Sequence, residues 1–183
     1  MKKIIRLSVF SLFLLNLCAF TKADTWYLLE SKAFGFTIEF PKKPTEQIQT
    51  VDSEIGKLTL NLFIYDASAV KTESNLVYLV NCTLYPDSLI DSDDTDKLGT
   101  VYRQAIDGAV ANVKGKLLSE KVITIEGFLA REVRVDFQNG TAILKMRLCL
   151  VHNKLFVLET ITETKKELNK SIDRFMNSFK LIK

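Results

Sequence analysis

Histidine occurs once in the 183 residues, at His152, tryptophan once, proline three times, cysteine three times and glycine seven times. One histidine excludes two-histidine metal sites and the HExxH zinc helix. A Ser/His/Asp triad would have to recruit His152, and no GxSxG elbow accompanies it. The cysteines form no CxxC pair for zinc or dithiol redox work. Cys149 stands three residues from His152 in one strand and its turn, a poor geometry for nucleophile and base. Gly108, Gly115 and Lys116 lack the spacing of a phosphate-binding loop and fall within and after a helix. The 22 acidic residues offer many carboxylate pairs, and spacing selects none of them. Scarce glycine, proline and cysteine also argue against a collagen-like fibre, a disordered chain and a disulfide-dense miniprotein. At 47% hydrophobic and 26% charged, the composition is that of one globular domain.

The first segment reads as a secretory leader. Lys2, Lys3 and Arg6 precede an apolar run from Leu7 to Phe20, and Thr21-Lys22-Ala23 places small residues where a signal peptidase reads. Cleavage is expected between Ala23 and Asp24, giving a signal peptide over 1–23 and a single domain over 24–183. The run is shorter than the roughly 20 residues of a membrane-spanning helix and is broken by Ser8, Ser11 and Asn16. Leu17 before Cys18 is bulky where lipoprotein processing favours a small residue. Taking the leader's four basic residues from the 25 leaves 21 against 22 acidic groups, a net charge of −1. Without a basic excess to release counterions from phosphates, nucleic acid is not expected as a partner. The remaining 160 residues suffice to bury roughly 70% of the unfolded surface.

Phe36, Ile38 and Phe40 alternate with Thr37 and Glu39 in a strand closed by Pro41, and Leu58, Leu60, Leu62 and Ile64 define a second. Leu76 to Tyr85 is apolar at nearly every position, as in a strand covered on both faces. Leu98, Val101, Tyr102, Ala105, Ala109 and Val113 follow at helical spacing, with Gly115 as the stop. The acidic run before them, Asp91, Asp93, Asp94 and Asp96, caps a helix N-terminus on one reading. On the other it is the weak metal candidate of the chain, a calcium loop. Asp91 and Asp93 match its first ligands, but Asp96 replaces the glycine and Tyr102 the final glutamate.

Asn139-Gly140 is the preferred centre of a type I′ turn. Pairing about it sets Val135 against Leu144, Val133 against Met146 and Glu132 against Arg147, so apolar meets apolar and opposite charges meet on the other face. A turn near His152-Asn153 leads into Leu155 to Leu158. Cys82 and Cys149 lie in apolar runs, either bridged to each other or buried as separate thiols. The final helix is expected to open with a capping box, Thr164 and Glu167, and to bury Leu168, Ile172, Phe175, Met176 and Phe179. Asn81, Asn139 and Asn169 sit in glycosylation sequons, relevant only in a glycosylating pathway. Trp26 and Tyr27 are read as packing across the sheet end, with an exposed aromatic patch as the alternative.

Gly35-Phe36 to Phe40-Pro41 with Pro44, Tyr85-Pro86, Gly115-Lys116-Leu117, Gly127 to Arg131-Glu132, and Phe175 to Ser178-Phe179-Lys180-Leu181 resemble exported bacterial proteins of the PsbP-like fold superfamily. The resemblance covers residues 26 to 182 and implies an α+β fold: an α/β/α sandwich with a mainly antiparallel sheet between helices. It transfers no functional residue, since the matching positions are prolines, glycines and core aromatics. Its named relatives act as accessory or assembly proteins. The resulting expectation is an exported, periplasmic or extracellular, non-catalytic domain that binds or helps assemble an envelope protein or complex, with no cofactor. The alternative is a periplasmic protein binding a small ligand or calcium, and an enzyme of unrecognised type ranks after both.

Overall fold

Alternation of large apolar residues with polar ones builds two antiparallel sheets that share one core. The computed structural model describes residues 25–53, 56–86 and 90–182. The expected leader, 1–23 with its Ala23-Asp24 junction, lies outside the described residues. The larger sheet contains β3 (Thr45–Ser53), β4 (Gly56–Asp66), β5 (Asn75–Leu84), β6 (Lys116–Ile125), β7 (Phe128–Phe137), β8 (Ala142–Val151) and β9 (Lys154–Glu163), in the order β3-β4-β5-β9-β8-β7-β6. A smaller sheet has the order β1-β2-β10, from β1 (Tyr27–Ser31), β2 (Phe36–Phe40) and β10 (Lys180–Leu181). The helices are α1 (Thr95–Asn112) and α2 (Lys170–Asn177). Among the described residues no helix is long and apolar enough to cross a membrane.

The two faces of the large sheet are covered differently. On one, Tyr78, Val80, Cys82, Phe156 and Leu158 meet Phe36, Ile38 and Phe40 of the small sheet and Ile172, Phe175 and Met176 of α2. On the other, Val133, Leu144, Met146, Leu148 and Leu150 meet Leu98, Tyr102 and Ile106 of α1. The result is a sheet-dominated α+β fold. It departs from the expected helix-flanked sandwich because the alternating Phe36, Ile38 and Phe40 make a second sheet, not a helix, the main cover of one face.

The hairpin register is as expected: Val133 pairs with Met146, Val135 with Leu144 and Glu132 with Arg147. Asn139 and Gly140 take positive φ of 53° and 84°, and the Thr141 N–H donates to the Gln138 carbonyl at 3.3 Å. The Glu132–Arg147 pair closes at 2.9 Å, and Arg147 also donates to the Met176 carbonyl at 3.1 Å, tying the end of α2 to the sheet.

The capping-box expectation is corrected, and the choice between bridged and separate thiols is resolved. Thr164 and Glu167 do not open the last helix. Thr164–Lys166 forms a single 3-10 turn, the Thr164 hydroxyl donates to the Gly140 carbonyl at 2.7 Å, and the Glu167 carboxylate is taken by Arg134. Asn169 caps α2 instead, accepting the Ile172 N–H at 3.0 Å, which leaves Leu168 off the buried stripe and 93% exposed. Cys82 and Cys149 are free and buried. Both stand in register with Phe156 on the intervening strand β9. Two strand spacings, ~10 Å, exceed the reach of a disulfide.

Candidate binding cleft at the splayed sheet end

The acidic run acts as a helix start. Asp94 accepts the Lys97 N–H at 3.2 Å and pairs with the Lys97 ammonium at 2.9 Å, and these contacts hold its carboxyl below the usual range. Asp91 accepts the Asp93 N–H at 3.0 Å, and Asp96 is exposed in the first turn of α1. Among the described residues no three His, Cys, Asp or Glu side chains come together as a metal-binding set.

Tyr102, which the sequence marks as one member of an amphipathic stripe, has a larger role. The β7–β8 ladder stops at Ala130 and Cys149. At the next position the Tyr102 hydroxyl lies between the strands, donating to the Leu129 carbonyl at 2.6 Å and accepting the Leu150 N–H at 2.8 Å. It replaces a direct ladder bond, so both backbone groups stay satisfied while the strands part. Burial pushes the Tyr102 phenol up to about 12, so it remains protonated and able to donate.

Beyond this wedge the β6–β7 turn at Glu126-Gly127 and the β8–β9 turn at His152-Asn153 separate. Glu126, Gly127 and His152 all take positive φ, as tight strand reversals require. The β1–β2 turn and the chain beyond β10 close the other side, where the Ile182 N–H donates to the Gly35 carbonyl at 2.9 Å. Between them lies an open cleft of about 400 Å³ walled by Phe34, Phe128, Phe156 and Leu181. The His152 ring meets Phe128 edge-on at 5.8 Å. Lys154 donates to the Phe34 carbonyl at 3.3 Å, and Glu126 pairs with Lys180 at 3.0 Å.

Phe34 also borders a second open cleft of about 470 Å³, lined on its far side by Leu58, Asn61, Leu84 and Tyr85. Phe34 is half-buried, edge-on to Phe63 at 6.1 Å, and its accessible part forms a low ridge shared by the two depressions. Leu84 (44%) and Ile182 (40%) are exposed large apolar residues beside it. Neighbouring loops are stitched together: Tyr85 and Asn153 exchange bonds of 2.9 and 2.8 Å, and Ser92 and His152 exchange two of 3.0 Å. Trp26 packs elsewhere, edge-on to Tyr78 at 6.0 Å with the Arg174 guanidinium 4.6 Å over its ring.

The arrangement suits docking of an apolar group beside polar contacts. The cleft's Lys and Glu side chains are already engaged, and His152 faces an aromatic ring. Cys82 and Cys149, the two described thiols, are pushed up to about 12 by burial, far from a reactive thiolate. Sequence reading singled out His152 only as a turn residue. Glu126-Gly127, mirroring the hairpin centre at Asn139-Gly140, was the available signal for a neighbouring turn.

No protein-family model and no curated protein matches this chain. Among solved structures, the solution structure of cyanobacterial PsbP (CyanoP) from Synechocystis sp. PCC 6803 aligns over 91% of this chain and 98% of its own, with a TM-score of 0.48 and 14% identity. The crystal structure of PA94, a protein of unknown function from Pseudomonas aeruginosa, aligns over 77% of this chain and 85% of its own, with a TM-score of 0.33 and 10% identity.

Proposed function

We propose that the chain is an exported, non-catalytic module of the PsbP-like fold that binds an envelope protein through the Phe34 ridge and its two flanking clefts. The observation that supports this reading most is the ridge itself: an aromatic side chain between two open depressions, on turns cross-linked by backbone and side-chain bonds. A half-buried aromatic flanked by open clefts and by exposed Leu84 and Ile182 favours protein contact, whereas substrate chemistry favours an enclosed pocket with convergent titratable groups. The leader-like residues 1–23 support the export part of this reading.

Site-specific photo-crosslinking in the native host tests the proposal. A photoreactive residue at Leu84 or Ile182, beside the ridge, is expected to yield the same discrete adduct from envelope fractions. At Leu168, toward the opposite end of the sheet, it yields none, and Phe34→Ala reduces the ridge adducts at unchanged expression. Equal labelling from all three positions, or an adduct indifferent to Phe34, refutes the assignment of the ridge.

A further inference from the structure

Lys154 opens β9 on the face that Phe156 occupies two residues later, and it lines the open cleft walled by Phe34, Phe128, Phe156 and Leu181. Its side chain is half-buried, with the ammonium group 3.3 Å from the Phe34 carbonyl oxygen and against Gly35. That carbonyl is a neutral partner. Glu126, the carboxylate of the cleft wall, is taken by Lys180 at 3.0 Å, and among the described residues no acidic group forms an ion pair with Lys154. One positive charge without a counter-ion therefore stands beside three phenylalanines. A half-buried cation in such a place is complemented by an anion carried on an apolar body.

A strand edge borders the same cleft. β10 pairs with β2 alone and is the rim of the small sheet. The Ile182 N–H donates to the Gly35 carbonyl, so by the alternation of an antiparallel ladder Leu181 turns its own N–H and carbonyl away from β2. Leu181 lines the cleft, and among the described residues neither of these groups has a partner. A cation, aromatic walls and a free backbone donor and acceptor match one feature of a polypeptide, its C-terminal residue. There the carboxylate and the side chain share one Cα, with a peptide bond beside them. An Asp or Glu side chain would carry the charge without the adjoining apolar group, and a simple hydrophobic acid would leave the Leu181 edge unused.

Building on the ridge reading, we propose that the partner docked at Phe34 offers the cleft its C-terminal residue, one with a large apolar side chain. The terminal carboxylate pairs with Lys154, the side chain lies among Phe34, Phe128 and Phe156, and the backbone adds to the small sheet at Leu181.

Isothermal titration of the protein, purified after expression of the full chain, tests the proposal. The probes are an N-acetylated hexapeptide of uncharged residues ending in phenylalanine with a free carboxylate, its C-terminal amide, the same peptide ending in serine, and 3-phenylpropionate. The free-acid phenylalanine peptide is expected to bind one-to-one and about tenfold tighter than each of the other three. Lys154→Gln, shown to be folded by circular dichroism, is expected to abolish the preference of acid over amide. Absence of binding by the free-acid peptide, equal affinity for acid and amide, a preference that survives Lys154→Gln, or equally tight 3-phenylpropionate overturns the proposal. If the Phe34-dependent photo-adducts at Leu84 and Ile182 persist beside any of those results, the ridge reading stands and the chain-end site falls. If the adducts fail while the Lys154-dependent preference holds, the chain-end site stands and the ridge reading falls.

Discussion

Replacing Glu159 with glutamine should make the protein more stable at pH 8 and leave it nearly unchanged at pH 4.5. An apolar surround of Leu79, Met146, Val157 and Ile161 disfavours the carboxylate, and burial raises the carboxyl from its ordinary 4.5 to about 7 in the folded state. Between those values the unfolded chain has released the proton while the folded chain still holds it, so folding stability falls as pH rises. Below the window both states are protonated and nothing is lost. Above it the loss is complete. A shift of this size corresponds to roughly 3 kcal/mol at 1.36 kcal/mol per unit, and the side chain's partial exposure reduces it to about 2–3 kcal/mol. For a domain of this length that is a change in Tm of about 4–12 °C. Urea denaturation at pH 4.5, 6, 7 and 8 measures it directly. The native protein should lose stability across the series relative to the variant, and the two curves should diverge by the stated amount. Parallel curves would refute the reasoning, because they would mean that the carboxyl has the same proton affinity folded and unfolded.

Four further outcomes follow from the packing. Tyr102→Phe strands the Leu129 carbonyl and the Leu150 N–H and should cost about 2 kcal/mol in urea unfolding, with a cost below about 0.5 kcal/mol arguing against the wedge. Gly115→Ala places a Cβ 2.5 Å from the Asp136 carbonyl oxygen and 2.6 Å from Val135 Cγ1, so a loss of about 1–3 kcal/mol is expected, and a neutral result would show that this approach is looser. Asn169→Ala removes the α2 cap and a 2.8 Å bond to buried Asn75, for about 1–2 kcal/mol by thermal melting, whereas Thr164→Ala should leave α2 intact. Cys82 and Cys149 should resist a thiol reagent in the native state and react together on unfolding; native reactivity of either would contradict their burial.

Much of the β architecture was legible because it is written in neighbouring residues. Asn139-Gly140 favours a reversal, and the reversal dictates every cross-strand pair from Val135–Leu144 back to Glu132–Arg147. Asp94 caps α1 through its own carboxylate, and the spacing of Leu98, Tyr102 and Ala105 sets the buried side. The polar strand β3 escaped notice because its residues from Thr45 to Asp52 are all exposed, and it owes its extension to pairing with β4. The capping box failed because tertiary partners claimed both of its side chains: Gly140 the hydroxyl of Thr164, and Arg134 the carboxylate of Glu167.

Turn type, strand alternation and helix phase were determined by the sequence itself, since each depends on interactions within a few residues. Strand order was decided only by the tertiary structure. The insertion of β9 between β5 and β8 separates Cys82 from Cys149 by Phe156 and places Glu159 beside Leu79, from a strand far earlier in the chain. The same long-range packing covers one face of β5 and β9 completely and the other only in part, and it drives the Tyr102 hydroxyl between β7 and β8. An apolar run in sequence states only that burial is favourable. Which surfaces are buried, and which polar groups are left without partners among them, depends on where distant elements come to rest.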